Sequence, residues 1–180
     1  MEIILFSGAH GVGKGYFLDK IKKDIQGFNI YSASDLIKRY KNATDAGYKK
    51  VSDIDDNQNV LIKAIKEIKK DNRNIILDGH LCVFNANGKV ERIPEKFFVD
   101  AEITEIMILQ DEPAKICERV QKRDSNVIEI QDIEFMQFEE LRYARELETK
   151  FHIRYEIVTH ECTKEQFIHK LIYRGGEHHE

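Results

Sequence analysis

A glycine-rich segment that ends in a lysine, close to the start of the chain, has the residue types that bind phosphate groups. It reads Gly8-Ala-His-Gly-Val-Gly-Lys14, and we call residues 8–14 the phosphate loop. In this spacing, glycine permits a tight turn whose backbone N–H groups face anionic oxygens, and the lysine ammonium reaches the terminal phosphates. We therefore predict that the loop holds a triphosphate tail. The predicted contacts are Gly8, His10, Gly11, Val12, Gly13, Lys14, Gly15 and Tyr16.

The residue after the loop lysine departs from this pattern. A serine or threonine usually follows the lysine and binds Mg²⁺ through its hydroxyl, but this chain has Gly15. Asp78 ends an apolar run at residues 74–78, and a carboxylate that ends a strand beside a phosphate loop commonly holds Mg²⁺. We therefore predict Asp78 as the metal contact of a site that is weakened at Gly15. His80 is predicted either to contact substrate or to bond to local backbone groups.

Two pairs of arginines fall on predicted helices at spacings that place each pair on one helix face. Arg119 and Arg123 are four residues apart, and Arg142 and Arg145 are three apart. Phosphoryl transfer requires positive charge where the oxygens of the transferred group become more negative. We predict that Arg119 and Arg123 are catalytic together with Lys14. The second pair is predicted either to bind substrate or to lie on a solvated helix face with glutamate partners.

Short apolar runs that alternate with helical patterns would position these residues. The predicted strands are residues 3–6, 28–31, 74–78, 105–109 and 153–158. Their alternation with helices predicts an α/β fold, with a five-stranded parallel sheet flanked by helices on both faces, and ligands binding at the carboxyl ends of the strands. Asn87-Gly88, between two β-prone runs, predicts a small β-hairpin insertion at about residues 81–93.

The helical patterns give approximate boundaries. Apolar residues at helical spacing predict helices at residues 14–25 and 54–70, and a Ser-x-x-Asp signature predicts a helix that begins after Ser32 and continues to Arg39. A polar connection at residues 40–52 is predicted to be mobile. A long helix at residues 131–151 is predicted to bury Phe138, Leu141, Ala144, Leu147 and Phe151.

Composition indicates a single globular domain. The chain has 180 residues, of which 42% are hydrophobic and 33% charged, and these values are ordinary for a one-domain protein. The net charge of −4 gives no basis for a nucleic-acid surface, and no apolar run approaches the length of a membrane span. Three cysteines without metal-ligand spacing indicate a reducing compartment. We expect a cytoplasmic protein, a monomer or weak homo-oligomer, without nucleic-acid or membrane partners.

The order of the motifs resembles that of the adenylate kinase-like nucleoside monophosphate kinases, and most of all their compact archaeal and nuclear branch. The resemblance is carried by the phosphate loop, by Ser-Ala-Ser-Asp-Leu-Ile-Lys-Arg after the second strand, by Asp-Asn-Gln in the next helix, by Ile-Leu-Asp-Gly-His, and by Glu-Pro followed by the first arginine pair. It implies a phosphate-loop NTPase fold, ATP and Mg²⁺ as cofactors, and a small acceptor, most often a nucleoside monophosphate.

The resemblance also implies a division of the domain. An acceptor arm would occupy about residues 32–70, and a short lid about residues 119–134, with Arg119 and Arg123 as lid arginines. Gln58 would contact the acceptor base. The residues implied at the acceptor arm are Ser34, Asp35, Lys38 and Arg39. Lys38 stands where these kinases usually have arginine, so the acceptor stays open.

Other functions fit the same motifs. The chain could phosphorylate another small metabolite, because one fold serves several acceptors. Gly15 and the hairpin favour a second class, a nucleotide-binding switch or slow ATPase that regulates a partner protein. A binding module without turnover is a third possibility. An Asn-Lys-x-Asp guanine signature is absent from the sequence, which argues against a GTPase.

Overall fold

The computed structural model describes residues 1–44, 54–71, 73–85, 87–124 and 128–172. The strands are β1 (Ile3–Ser7), β2 (Phe28–Ser32), β3 (Asn74–Asp78), β4 (Cys82–Phe84), β5 (Val90–Arg92), β6 (Glu105–Gln110) and β7 (Arg154–Thr159). The helices are α1 (Lys14–Ile21), α2 (Ala33–Thr44), α3 (Ile54–Ile68), α4 (Glu95–Asp100), α5 (Pro113–Asp124), α6 (Ile130–Phe151) and α7 (Lys164–Ile172).

The main sheet confirms the predicted fold class. Its five strands lie in the order β2-β3-β1-β6-β7, and every neighbouring pair is parallel. All five residues of β1 are buried. Ile3 and Leu5 pack into one apolar cluster with α3 and α6, while Ile4 and Phe6 pack into a second cluster with α1 and α5. Helices therefore cover both faces of the sheet, because alternate side chains of a strand point to opposite faces.

The parallel arrangement brings five strand ends to one edge. β1 leads into the phosphate loop, β2 ends at Ser32, and β3 ends at Asp78, which is the register partner of Ser32. β6 is followed by Asp111 and β7 by His160. This edge therefore carries the candidate functional residues.

Three helical predictions need correction. α1 ends at Ile21 rather than residue 25, and α2 continues to Thr44 rather than ending at Arg39. On α6, Phe138 and Phe151 are 60% and 37% exposed, so the predicted buried face was wrong at these positions. The face that packs on the sheet includes Ile133, Met136, Glu140, Tyr143 and Leu147. Ala144 and Leu147 are buried as predicted, and Leu141 packs against the core, so the prediction is wrong for the two phenylalanines alone.

The predicted hairpin is present as β4 and β5, which pair antiparallel outside the main sheet. Its base is closed by the Ile93 amide, which donates to the Leu81 carbonyl at 2.9 Å. The guanidinium of Arg92 holds it against α6, because it donates to both Glu139 and Glu146 and lies 4.6 Å from the centre of the Tyr143 ring. The hairpin is thus fixed to the body of the domain.

Parts of the predicted acceptor arm and lid lie outside the described residues. Residues 45–53 of the arm and 125–127 of the lid belong to this group, and so does most of the connection predicted at residues 40–52. Within the described ranges, none of the helices has the length and apolar character needed to cross a membrane.

Candidate active site

The phosphate loop has the backbone conformation that its glycines predict. Gly8, Gly11 and Gly13 have φ angles of +152°, +83° and +98°, which side chains with a Cβ rarely adopt. A Cβ on Gly8 would lie 2.5 Å from the Leu109 carbonyl oxygen, and one on Gly11 would lie 2.2 Å from a methyl carbon of Val120. The loop leads directly into α1. Its amides and the helix N-terminus therefore form a cradle suited to anionic oxygens.

Lys14 is the buried cation of this cradle. Its side chain is 8% exposed, and Nζ donates to the Gly8 carbonyl at 3.1 Å. Nζ also lies 3.9 Å from Oδ1 of Asp78 and 3.4 Å from both ring nitrogens of His80. Burial lowers the pKa of Lys14, and the carboxylates of Asp78 and Glu140 oppose that shift. The lysine is thus held at the base of the loop beside the predicted metal ligand.

His80, two residues after the end of β3, is hydrogen-bonded to the phosphate loop. Its Nδ1 donates to the Gly8 carbonyl at 3.0 Å, and burial, with Lys14 nearby, lowers the pKa of His80 to about 3. The imidazole is therefore neutral near pH 7 and serves as a hydrogen-bond donor. The sequence left two roles open for His80, a contact to substrate or a bond to a backbone group, and the hydrogen bond to the Gly8 carbonyl is of the second kind.

The carboxylate of Asp78, at the end of β3, fits Mg²⁺, which would take phosphate oxygens as further ligands. Asp78 is partly exposed, and burial raises its pKa, which Lys14 opposes and the nearby Asp35 carboxylate reinforces. Among the described residues there is no cluster of three His, Cys, Asp or Glu side chains able to hold a metal ion. Mg²⁺ commonly needs just one or two carboxylates together with substrate phosphates and water. The Asp78 carboxylate therefore has the chemistry of a suitable Mg²⁺ ligand.

Both predicted catalytic arginines reach the phosphate loop from α5. Arg119 donates through Nη1 to the Val12 carbonyl at 2.7 Å, and its Nη2 pairs with Asp111. Arg123 donates through Nη2 to Nε2 of His10 at 2.8 Å. Two guanidinium groups thus lie beside the loop, where they can face a bound triphosphate.

A cavity of about 880 Å³ opens beside the loop, and two of its polar lining residues, Asp111 and His160, were not among the predicted site residues. Gly13 and Tyr16 line one side, and Arg119, Asp111 and His160 line others. His160 donates through Nε2 to the Val12 carbonyl at 2.6 Å, so β7 is tied to the loop. Asp111 and His160 directly follow β6 and β7, and that position was the signal that could have identified them. The volume lies within the range of small-molecule sites.

The remaining predicted substrate residues are spread more widely. On α2, Ser34, Asp35, Lys38 and Arg39 are exposed, and the Asp35 amide donates to the Ser32 hydroxyl at 3.3 Å, as the capping signature predicts. Gln58 on α3 is half-buried.

The second arginine pair does not come together at the loop. Arg142 donates to Glu139 at 2.8 Å, next to the hairpin arginine. Arg145 donates to the Tyr155 hydroxyl at 3.1 Å, between α6 and β7. A substrate-binding role for Arg142 and Arg145 stays a prediction, and these contacts do not support it.

Comparisons with known proteins agree with this fold. The family described as "AAA domain" matches residues 7–137. The fold is similar to that of a gluconokinase from Sinorhizobium meliloti 1021, with a TM-score of 0.51, 13% identity and coverage of 96% of this chain and 90% of that one. It is also similar to the tunicamycin resistance protein of Deinococcus radiodurans, with a TM-score of 0.60, 10% identity and coverage of 96% and 94%. No curated protein sequence gives a match.

Proposed function

The chain belongs to the AAA domain family of phosphate-loop proteins, and from this premise we propose that it transfers the γ-phosphoryl group of ATP to a small acceptor. The observation that carries the proposal is the buried Lys14 ammonium, which lies 3.9 Å from the Asp78 carboxylate inside a loop contacted by Arg119 and Arg123. These are the parts that phosphoryl transfer requires, because catalysis rests on positioning and on balancing the charge of the transferred group.

The residues divide the work between binding and charge stabilisation. The loop amides and Lys14 bind the β- and γ-phosphates, and Asp78 would hold Mg²⁺, which would supply positive charge against the phosphate oxygens. Arg119 and Arg123 stabilise negative charge on the transferred group. The nucleoside part of ATP occupies the cavity beside the loop, where Tyr16 and His160 are among the lining residues.

The acceptor we propose first is a nucleoside monophosphate. It would bind where α2 follows β2, with Lys38 and Arg39 supplying positive charge for its phosphate and Gln58 contacting its base. The finer likeness to adenylate kinases rests on the motif order in the sequence.

A hydroxyl-bearing metabolite is the second candidate acceptor, and the Asp35 carboxylate favours it, because Asp35 lies in the first turn of α2, just after the strand residue Ser32 that is the register partner of Asp78. A hydroxyl must lose its proton when it is phosphorylated, whereas a phosphate oxygen is already anionic. Asp35 could accept that proton. One structural neighbour is named a gluconokinase.

The substitution Asp35→Asn separates the two acceptors. With a hydroxyl acceptor, loss of the general base lowers kcat by about 10²–10⁴-fold. With a monophosphate acceptor, kcat should fall by less than about tenfold, because Asp35 then takes no proton and the substitution removes just one exposed negative charge. Steady-state kinetics with the active acceptor distinguishes these outcomes.

The proposal itself is tested by ADP release from ATP and Mg²⁺, with nucleoside monophosphates and small polyols or sugar acids offered in turn. Acceptor-dependent release supports a kinase, and ATP consumption that no acceptor changes supports a nucleotide switch. Lys14→Ala should abolish both ATP binding and turnover. Lys22→Ala is the matched control, because Lys22 is an exposed lysine at the end of α1 that pairs with Asp19.

A further inference from the structure

Glu140 is a buried carboxylate for which the proposed reaction has no assigned role. It lies on α6 with 0% of its surface exposed. Burial raises the pKa of Glu140, and Lys14, the Ser7 hydroxyl and the Leu81 amide oppose the shift. A polar group buried this deeply is costly unless it is hydrogen-bonded, so its partners indicate what it does.

Those partners belong to two different segments of the active site. Oε1 of Glu140 accepts hydrogen bonds from the Ser7 hydroxyl at 2.9 Å and from the Leu81 amide at 3.3 Å. The same amide also donates to the Ser7 hydroxyl oxygen at 2.8 Å. Ser7 directly precedes the phosphate loop, and Leu81 directly follows His80. We call these three groups the Glu140 triangle.

We propose that Glu140 is a positioning residue for phosphoryl transfer, which holds the phosphate loop at a fixed distance from the segment that carries Asp78 and His80. The inference rests on the proposed function. Two functional contacts cross the same gap, the approach of Lys14 to Asp78 at 3.9 Å and the hydrogen bond from His80 to Gly8 at 3.0 Å. The triangle adds a side-chain link across this gap, beside the pairing of β1 with β3 in which Phe6 is the register partner of Asp78.

The triangle acts through hydrogen bonding at one oxygen. Among the described residues, Oε2 of Glu140 has no hydrogen-bond partner, so a single carboxylate oxygen makes both bonds. Glutamine keeps an acceptor oxygen at that place, whereas leucine removes it. If the negative charge near Lys14 were the important property, glutamine and leucine would be equally damaging.

The test compares Glu140→Leu and Glu140→Gln in the acceptor-dependent assay. A displacement of about 1 Å at reacting groups can cost about 100-fold in rate, so Glu140→Leu should lower kcat by about 10- to 100-fold. KM for ATP should change by less than about threefold, since the loop amides still bind the phosphates. Glu140→Gln should retain kcat within about threefold of the parent, even though its amide nitrogen lacks a partner and lowers stability.

Glu105→Leu is the matched control. Glu105 is also buried, at 2% exposure, but it begins β6 at the amino edge of the sheet, opposite the phosphate loop. Its loss should lower the melting temperature and leave kcat unchanged at temperatures where the protein is folded. A Glu140→Leu protein that behaves like this control overturns the inference, and so does a Glu140→Gln protein that loses as much kcat as Glu140→Leu.

Hydrogen exchange at the Leu81 amide supplies a readout independent of turnover. Exchange should be faster in Glu140→Leu than in the parent and nearly unchanged in Glu140→Gln and Glu105→Leu. If Glu140→Leu does not fold, Ser7→Ala replaces it, and unchanged kcat with unchanged Leu81 exchange then overturns the inference. If the parent shows no turnover with any acceptor, the proposed function fails, and the exchange rates alone decide whether the triangle holds the two segments together.

Discussion

At the scale of single residues, Gly15 differs from the other glycines around it. A Cβ at Gly8 or Gly11 would meet atoms at 2.5 Å and 2.2 Å, but a Cβ at Gly15 would meet no atom of the described residues within 4 Å. Gly15 is also the second residue of α1, where glycine is less favourable than most residues. Packing therefore does not require glycine at this position.

Serine at position 15 should restore the missing metal ligand. Gly15→Ser places a hydroxyl next to Lys14 without a clash, and we expect Mg²⁺-dependent turnover to rise by about tenfold, equivalent to about 1.4 kcal/mol of transition-state stabilisation. The measurement is a titration of kcat against Mg²⁺ concentration. Gly15→Ala is the control, since it makes the same backbone change without the oxygen. Equal rates for the two variants would mean that the metal is held by other groups.

At the scale of secondary-structure elements, the hairpin depends on one arginine. Arg92 contacts two glutamates and an aromatic ring on α6, and its side chain is 28% exposed. Charge-assisted hydrogen bonds in a partly buried setting contribute more than exposed ion pairs. The arginine therefore joins the β4–β5 sheet to the helix that carries Glu140.

Loss of this arginine should be measurable as a loss of stability. We expect Arg92→Ala to lower the free energy of unfolding by about 2 kcal/mol, because two carboxylates lose a charged donor and the Tyr143 ring loses its cover. Denaturant titration gives the value. Lys96→Ala removes an exposed pair with Asp100 on α4 and should change stability by less than about 0.5 kcal/mol. Equal effects of the two substitutions would contradict the role given to Arg92.

Secondary-structure elements were predictable where the local sequence pattern determines them. Apolar runs predicted the five sheet strands, and Asn87-Gly88 predicted the hairpin. Apolar spacing predicted the burial of Ala144 and Leu147 on α6, but it could not predict the buried carboxylate of Glu140 or the exposure of Phe138. His160 and Asp111 directly follow strands, which is a local signal, but their contacts are tertiary, since His160 bonds to the Val12 carbonyl and Asp111 pairs with Arg119.

At the scale of the whole molecule, the reaction of a buried cysteine with a thiol reagent measures how often the fold opens. Cys82 is fully buried, and burial raises its pKa to about 12. Cys117 and Cys162 are half-buried. Because the thiolate is the reactive form, Cys82 should resist thiol reagents in the native protein at pH 8.

Bound ATP should protect this thiol further. Ligand that binds the folded state alone stabilises it by about 2.7 kcal/mol at 100 times its Kd, which corresponds to about 100-fold slower labelling of Cys82 when labelling requires global opening. Mass spectrometry of each cysteine against time measures the rates. The Lys14→Ala protein should show no such slowing, and slowing of equal size in that variant would argue against ATP binding at the loop.

The anchored base of the hairpin has a practical consequence for engineering. Because the Ile93 amide and Leu81 carbonyl close the excursion below its exposed Asn87-Gly88 tip, added sequence at that tip leaves the strand register and the cradle undisturbed. The tip is therefore a suitable place to graft an affinity tag or a fluorescent reporter.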